Sequence, residues 1–373
     1  MIYEEDKKLL QEISTAKNLN KNTISNYRSS IKQYTQLIGK SMTSLLIEAE
    51  TEEEQGIRWK KRKIRTHLIR YRAHLIDKYE YEGTIRVYLT KILAIYRHYE
   101  IELQPLPQVS TRNKTQTMVK YNDLPDKEII RRALNIADPQ TKAIILLITT
   151  SGMGRTETTN LTIQDFIQAT SEYHNKTDIH EVLQELDPNN DIVPTWQVHR
   201  QKTNKDYYTF STPESTRAIL YYLYDTHRDL TNEDSLFGIK PDYLGRKFRN
   251  INKRLGLGKV GAYNRFRPHM LRKYHASQLN QGEHKLSLDE VDSLQGRSKN
   301  TTRASYFLSN PEDLRRKYCL NMGELLILEA EKKTNDNVEL LELQRRYDEL
   351  QANIKEAARL EVKKILEELG YKL

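Results

Sequence analysis

The sequence predicts a mainly α-helical protein with a small antiparallel β-sheet, divided into two domains. Apolar residues recur at helical spacing through much of the chain, as in residues 64–75. Residues 192–212 instead alternate apolar and polar side chains around the polar turn KTNKD, which is typical of a β-hairpin. Residues 105–120 are rich in Pro, Thr and Lys and lack periodicity, so they separate two parts of different character.

The composition favours a polyanionic partner. The 373 residues include 60 Lys and Arg against 51 Asp and Glu, a formal charge of +9. The one cysteine, Cys319, excludes a disulfide framework and a Cys-rich zinc site, and fits a reducing compartment. The first residues lack the features of a secretory signal, and the longest apolar run, residues 143–148, is too short to span a membrane. We therefore expect a cytoplasmic protein.

The first domain, residues 1–104, is expected to be helical, with a compact bundle of about four helices over residues 20–103. Residues 1–19 predict a short helix, and the cap signal NKNT begins a second helix that Gly39 ends. Two amphipathic helices are predicted over residues 57–79 and 84–99. The first of these is strongly basic.

This basic segment is a candidate DNA-contacting surface. Eight Lys and Arg side chains and no acid lie between Arg58 and Arg72. Ordinary solvation is the alternative, but unopposed cations at this density favour contact with the phosphates of a DNA backbone. The residues that we expect to contact DNA are Arg58, Lys60, Lys61, Arg62 and Arg65.

The second domain, residues 121–321, follows the linker at 105–120. A buried helix is expected to end at Gly152, and the hairpin and further helices follow it. Residues 167–191, rich in acids and Asn, predict an inserted loop with a small helix.

The remaining residues, 322–373, form a charged tail. Within it Leu343, Tyr347, Leu350 and Ile354 follow one another at spacings of four and three. This predicts a long helix over residues 334–370 with a short coiled-coil character, a possible oligomerisation element.

The segment RPHMLRKYHAS, residues 267–277, carries His269 and Arg272 three positions apart. Two groups at this spacing point the same way from a helix, so they could bind one anion together. Taken alone, a basic surface turn is the simpler interpretation.

Four further residues extend this pair. Arg155 follows a predicted buried helix and a Gly turn, and Lys202 lies at the hairpin turn. Arg297 and Tyr306 lie nine residues apart in LQGRSKNTTRASYF. The ordered set resembles the tyrosine recombinase (phage integrase) family, over roughly residues 20–320. The resemblance implies a helical, SAM-like core-binding domain and a catalytic domain of the DNA breaking-rejoining fold.

The resemblance also implies a role for each residue. Arg155 and Arg272 would clamp the scissile phosphate, since guanidinium groups bind phosphate in bidentate fashion. Tyr306 would attack phosphorus and conserve the bond energy in a phosphotyrosyl link. Lys202 would protonate the departing 5′-hydroxyl, and His269 would accept the tyrosine proton or hold the phosphate.

The final member of the set, Arg297, would donate to a phosphate oxygen. Neither a cofactor nor a metal is then expected. The expected partners are duplex DNA with specific recombination sites and further copies of the chain. These would form a tetramer of C-shaped clamps on DNA.

Two positions depart from the family pattern Gly-x-Arg-x-x-Glu and from its later His or Trp. Glu157 aligns with the family Glu, but the Arg comes one place late, at Arg155, and Gly154 stands where it is expected. Arg297 replaces the His or Trp. Because arginine cannot act as a base, that role is expected to depend more on His269. The arrangement resembles the archaeal and mobile-element branch.

Alternatives remain for individual residues. Tyr318 is the rival of Tyr306, although it is expected to be a core residue of the next helix. Lys205 is the rival of Lys202 on the same turn, and His275 is expected to pack in the core.

The function predicted is site-specific DNA recombination (integration) through a covalent 3′-phosphotyrosyl intermediate. The alternatives are a type IB topoisomerase-like enzyme and a non-catalytic DNA-binding protein with the same fold.

Overall fold

The computed structural model describes residues 3–109, 119–188, 190–226, 230–297 and 310–328. The chain forms two compact units. Of the described residues, those up to 119 form the first, together with Val260–Tyr263, and those from 120 to 259 and from 264 onward form the second. The long helix predicted over residues 334–370 lies outside the described residues.

The first unit is a helical bundle. Asn20 accepts a hydrogen bond from the Thr23 amide where the second helix begins, and Gly39 ends that helix with a φ of 81°. The helices of this unit are α1 (Glu4–Ala16), α2 (Lys21–Ile38), α3 (Met42–Glu54), α4 (Lys63–Lys78) and α5 (Glu82–His98).

The core of this bundle lies between α2, α4 and α5. The stripe predicted on α4 is buried, at Ile64, Leu68, Tyr71 and Leu75. The hydroxyls of Tyr34 and Tyr96 are buried and lie 3.0 Å apart, so one donates a hydrogen bond to the other inside the core.

The basic segment differs in part from the predicted single helix. A 3₁₀ turn at Trp59–Lys61 precedes α4, which begins only at Lys63. The acidic residues before it belong to α3, and this helix supplies Glu48, Glu52 and Glu53 to the region.

The second unit is mainly helical as well. Its helices are α6 (Lys127–Ile136), α7 (Pro139–Ser151), α8 (Arg155–Asn160), α9 (Ile163–Ala169), α10 (Ile179–Glu185), α11 (Pro213–Asp225), α12 (Pro241–Arg254), α13 (Pro268–Leu279), α14 (Leu288–Leu294) and α15 (Pro311–Asn321). Its strands are β1 (Thr195–Arg200) and β2 (Lys205–Phe210), whereas the two-residue strands β3 (Lys259–Val260) and β4 (Tyr263–Asn264) each have one residue in this unit and one in the first.

The predicted hairpin is the pair β1 and β2. The strands are antiparallel, and their register runs from Thr195 opposite Phe210 to Arg200 opposite Lys205. The fold class predicted from the sequence, mainly α-helical with a small antiparallel sheet, is confirmed.

The core of the second unit is built around α7. This helix begins with the cap Asp138 and Pro139, and it is buried without interruption from Ala143 to Ser151. Helices α11 and α13 pack on it, and the chain beyond α15 adds buried side chains as far as Ile327.

No helix within the described ranges combines the length and the apolar character needed to cross a membrane.

Candidate active site

The end of α7 provides the first element of the site. Gly152 ends this helix with a φ of 67°, and its carbonyl oxygen accepts a hydrogen bond of 2.6 Å from Arg272 Nη1. A side chain at this position would have its Cβ 2.5 Å from His275 Nδ1. Both the backbone conformation and the close packing therefore require glycine.

Glu157, on α8, is the acidic centre of the site. Its Oε1 lies 3.1 Å from Arg200 Nε, and its Oε2 lies 3.3 Å from Arg272 Nη1. The hydroxyl of Tyr207 donates to the same carboxylate at 3.4 Å. Only 11% of the Glu157 side chain is exposed, so these contacts form in a region largely shielded from water.

The two residues that follow α14, Gln295 and Gly296, offer carbonyl oxygens to the same two arginines. The Gln295 oxygen accepts from Arg200 Nη1 at 2.9 Å and also from Arg272 Nη2. The Gly296 oxygen accepts from Arg200 Nη1 at 2.9 Å. A helix C-terminus carries partial negative charge, which stabilises cations placed there.

His275 and the Gln295 side chain fix this arrangement from behind. Gln295 Nε2 donates to the carbonyl oxygen of Arg272 at 3.0 Å and lies 2.9 Å from His275 Nδ1. His275 is fully buried, and burial, with the charges of Arg272 and Arg297, lowers its pKa to about 3. The ring is therefore uncharged at neutral pH, as expected for a packing residue.

His269 and Arg272 lie in the first turns of α13, as the sequence predicted for a helical pair. The Arg272 side chain is 7% exposed and fixed in place, whereas His269 is exposed. Partial loss of hydration around the ring comes first in lowering the His269 pKa to about 4, followed by the charges of Lys273, Arg267, Arg272 and Arg297. The imidazole is therefore uncharged at neutral pH, and one ring nitrogen keeps its lone pair.

Lys202 lies exposed at the hairpin turn between β1 and β2. Asn204 in the same turn adopts a left-handed conformation with a φ of 48°, which Asn tolerates better than most residues. Lys205 is the first residue of β2 and is less exposed than Lys202.

Arg155 lies apart from the carboxylate of Glu157. Its side chain is 43% exposed, and its Nη2 is 4.0 Å from Asp242 Oδ1 on α12. A Cβ added to Gly245, also on α12, would lie 3.0 Å from Arg155 Nη1. The structure therefore directs this guanidinium towards α12.

Arg297 follows the carbonyl oxygens of Gln295 and Gly296. Its Nη1 lies 3.1 Å from Asp292 Oδ1, and 39% of the side chain is exposed. Its charge contributes to the lowered pKa of His269, so it acts on the same region.

The predicted nucleophile, Tyr306, lies outside the described residues. Its rival Tyr318 is fully buried and donates a hydrogen bond of 2.9 Å to the Thr150 oxygen. A hydroxyl held in the core in this way is not placed to attack DNA.

In the first unit, the basic residues divide into two groups. Arg58, Lys60 and Lys61 are exposed, and Arg65 is half-buried. Arg62 turns inward, where its Nη1 lies 3.2 Å from Glu53 and its Nε donates to the Ile57 oxygen at 2.8 Å.

Two other cations of this segment also have partners. Lys63 pairs with Glu48 at 2.8 Å, and Arg72 donates to the Pro107 oxygen at 2.7 Å. The sequence interpretation of eight unopposed cations is therefore wrong for Arg62, Lys63 and Arg72, because α3 and the chain around α4 and α5 supply acceptors for them.

Arg200 is the site residue that the sequence analysis missed. The signal for it was present, because Trp196 and Val198 are buried and Arg200 continues their alternation on β1. An arginine on the inward face of a strand needs acceptors, and here they are Glu157, Gln295 and Gly296.

The fold is similar to known structures, although the sequence has no match. No family model matches the sequence, and no curated protein matches it. The structure is similar to a lambda integrase(75-356) dimer bound to a COC′ core site, with a TM-score of 0.53 and 12% identity, over 82% of this chain and 95% of the other.

It is also similar to a lambda integrase tetramer bound to a Holliday junction. The TM-score is 0.50 and the identity is 12%, over 80% of this chain and 74% of the other. The chain therefore has the fold of lambda integrase.

Proposed function

We propose that this protein is a site-specific DNA recombinase, an integrase that cleaves and rejoins duplex DNA through a covalent 3′-phosphotyrosyl intermediate. The observation that carries the proposal is the pairing of Arg272 with His269 within this fold. One helical turn presents a fixed, buried guanidinium and an exposed, neutral imidazole. Transfer of a phosphoryl group needs a positioned cation and a proton acceptor of this kind.

Arg272 supplies the fixed positive charge. Its guanidinium is held by the Gly152 oxygen, the Gln295 oxygen and the Glu157 carboxylate, so it is oriented before DNA binds. Such preorganised charge stabilises the transferring phosphoryl group without a reorganisation cost during the reaction.

The cleavage step uses three further side chains. The Tyr306 oxygen forms a bond to phosphorus while the bond from phosphorus to the 5′-oxygen breaks. His269 accepts the phenolic proton, and Lys202 donates a proton to the leaving 5′-oxygen. Rejoining runs the same step in reverse, so the number of phosphoester bonds does not change.

Arg297 and a second guanidinium complete the proposed phosphate contacts. Arg297 lies directly after the Gln295 and Gly296 carbonyls that hold Arg272 and Arg200. The family resemblance assigns the second guanidinium to Arg155.

DNA contact in the first unit is proposed for the exposed basic residues. Arg58, Lys60 and Lys61 extend into solvent, and Arg65 is half-exposed. Arg62 is removed from the proposed contact set because Glu53 and the Ile57 oxygen already bind it. By analogy with the lambda integrase tetramer on a Holliday junction, we propose that a tetramer of this chain performs strand exchange.

Trapping of a covalent adduct tests the proposal. A binding site is first selected from random duplex DNA by the wild-type protein and then nicked near the cleavage position, so that the cleaved end diffuses away. We expect wild type to form an adduct that survives denaturation, with the label on the 3′-phosphate, in buffer with or without EDTA. Tyr306→Phe should bind the site equally and form none.

Other outcomes assign the protein to another class. Specific binding without any adduct would overturn the recombinase proposal in favour of a non-catalytic DNA-binding protein. If the protein forms an adduct and relaxes supercoiled DNA, but does not exchange strands between two sites, a topoisomerase-like enzyme would be favoured.

A further inference from the structure

We propose that Arg200, and not Arg155, is the second phosphate-binding guanidinium beside Arg272. The inference rests on the proposed function and changes the assignment of one catalytic residue. It is carried by the contacts that Arg200 shares with Arg272, by the position of Gly154 and by the net charge of the cluster.

The shared contacts place the two guanidinium groups side by side. Both groups donate to the main-chain oxygen of Gln295, and both lie against the carboxylate of Glu157. Two donors on one oxygen lie within about 6 Å of each other, since each hydrogen bond spans roughly 3 Å. This separation suits two cations that bind different oxygens of one phosphate.

Gly154 explains why a strand residue takes this place. In the family pattern an arginine stands three positions before the Glu, and here that position is Gly154. A Cβ at Gly154 would lie 2.6 Å from Glu157 Oε2, and the amide of Gly154 donates to that same oxygen. The carboxylate is therefore drawn against the backbone, and the guanidinium beside it comes from Arg200 on β1.

Arg155 is directed elsewhere by its position one residue later. Its Nη2 lies 4.0 Å from Asp242 Oδ1, and its Nη1 lies 3.0 Å from where a Cβ on Gly245 would be, both residues being on α12. With 43% of the side chain exposed, it resembles a surface residue, whereas the Arg200 side chain is 16% exposed.

The net charge of the cluster formed by Arg200, Arg272 and Glu157 also favours binding of an anion. Arg200 and Arg272 contribute two positive charges and Glu157 one negative charge, which leaves a net charge of +1 (2 − 1). These three side chains are between 7% and 16% exposed, so water screens this charge poorly. A phosphodiester carries one negative charge and would neutralise the cluster, so cleavage of a charged phosphate is the step to which Arg200 contributes.

The test compares Arg200→Ala with Arg155→Ala on two substrates. One is the selected, nicked DNA site, and the other carries a methyl group in place of one non-bridging oxygen of the scissile phosphate. The methylphosphonate is uncharged, so its cleavage needs less positive charge from the protein. Adduct formation, DNA affinity and thermal unfolding are measured for each variant.

We expect Arg200→Ala to form adduct at least about 100-fold more slowly than wild type on the normal phosphate, the usual effect of removing one transition-state donor. On the methylphosphonate the two proteins should differ by less than about 10-fold. Arg155→Ala should stay within about threefold of wild type on both substrates, and DNA affinity should change little in either variant.

Two results would overturn the inference: Arg200→Ala within threefold of wild type on the normal phosphate, or a loss in Arg155→Ala that the methylphosphonate rescues. If Arg200→Ala does not fold, Arg200→Lys serves instead, because it keeps the charge that Glu157 requires. It should be slower than wild type on the normal phosphate and less impaired on the methylphosphonate, and equal impairment on both would also overturn the inference. Absence of an adduct in wild type would overturn the proposed function itself, which separates the two failures.

Discussion

Arg200 and Arg272 donate to the same oxygen, the main-chain carbonyl of Gln295, although they lie on a strand and a helix separated by 72 residues. Glu157 lies between their charges, with one carboxylate oxygen towards each. The stability of the site and its proposed chemistry therefore depend on a few contacts that tie β1, α8, α13 and α14 together.

Removal of Glu157 should strongly destabilise the second unit. Glu157→Ala leaves two largely buried guanidinium groups without a counter-charge, a change that typically costs about 3–5 kcal/mol. Denaturant unfolding followed by circular dichroism measures the decrease in stability. The control is Glu181→Ala, which removes a surface ion pair of 3.7 Å with Lys176. This change should lower the free energy of unfolding by less than about 1 kcal/mol. Equal effects of the two changes would refute the central position of Glu157.

Gly296→Ala should disturb the carbonyls that hold the arginines. Gly296 has a φ of 57°, and an added Cβ would overlap the ring of Tyr207. Gly256→Ala is a matched control, because Gly256 has a similar φ of 63° and an added Cβ there meets nothing within 4 Å. The control should cost about 1–2 kcal/mol from backbone strain alone. Gly296→Ala should cost more and slow adduct formation, and a smaller cost than the control would contradict this packing.

Acidification should destabilise the protein through His275. Its pKa is lowered to about 3 in the folded state, whereas an unfolded His has a pKa near 6.5. Below pH 6.5 the unfolded state therefore binds a proton that the folded state excludes, and stability falls by up to about 1.4 kcal/mol per pH unit.

Unfolding free energies at pH 7 and pH 5 check this expectation. Between these values wild type should lose about 2 kcal/mol more than His275→Asn, which lacks the titrating ring. A variant with the same pH dependence as wild type would show that His275 is not the group responsible.

The exposed basic residues of the first unit should set the salt dependence of DNA binding. Replacement of Arg58, Lys60 and Lys61 by Gln should lower affinity for all duplex sequences. It should also reduce the log–log salt slope by about 0.9 for each phosphate that the protein no longer neutralises. Arg62→Gln should lower stability, because Arg62 is bound to Glu53, but leave the slope unchanged. An unchanged slope in the triple variant would place DNA contact elsewhere.

Local sequence signals were sufficient for the elements that carry the site. The hairpin with Lys202 at its turn follows from alternation around KTNKD, and the end of α7 at Gly152 follows from an apolar run before a glycine. The helix that carries His269 and Arg272 was predictable in the same way, because Pro268 is suited to its first turn.

Contacts between distant segments could not be predicted in this way. Arg62 was interpreted as a DNA contact because its partner Glu53 lies on a different helix, and only the packing of α3 against α4 brings them together. Arg200 was missed for a related reason, since its acceptors at Glu157 and Gln295 lie 43 and 95 residues away along the chain. Long-range pairing of this kind is set by tertiary packing, and no local pattern encodes it.

Peptide mapping of the covalent adduct identifies directly the residue that attacks the DNA. Wild-type protein is trapped on the nicked site and digested with protease and nuclease. Mass spectrometry then identifies peptides in which a tyrosine is joined to a nucleotide through its 3′-phosphate. We expect a single modified peptide that contains Tyr306, and none in Tyr306→Phe. Modification of a different residue, or an adduct that persists in Tyr306→Phe, would contradict this expectation.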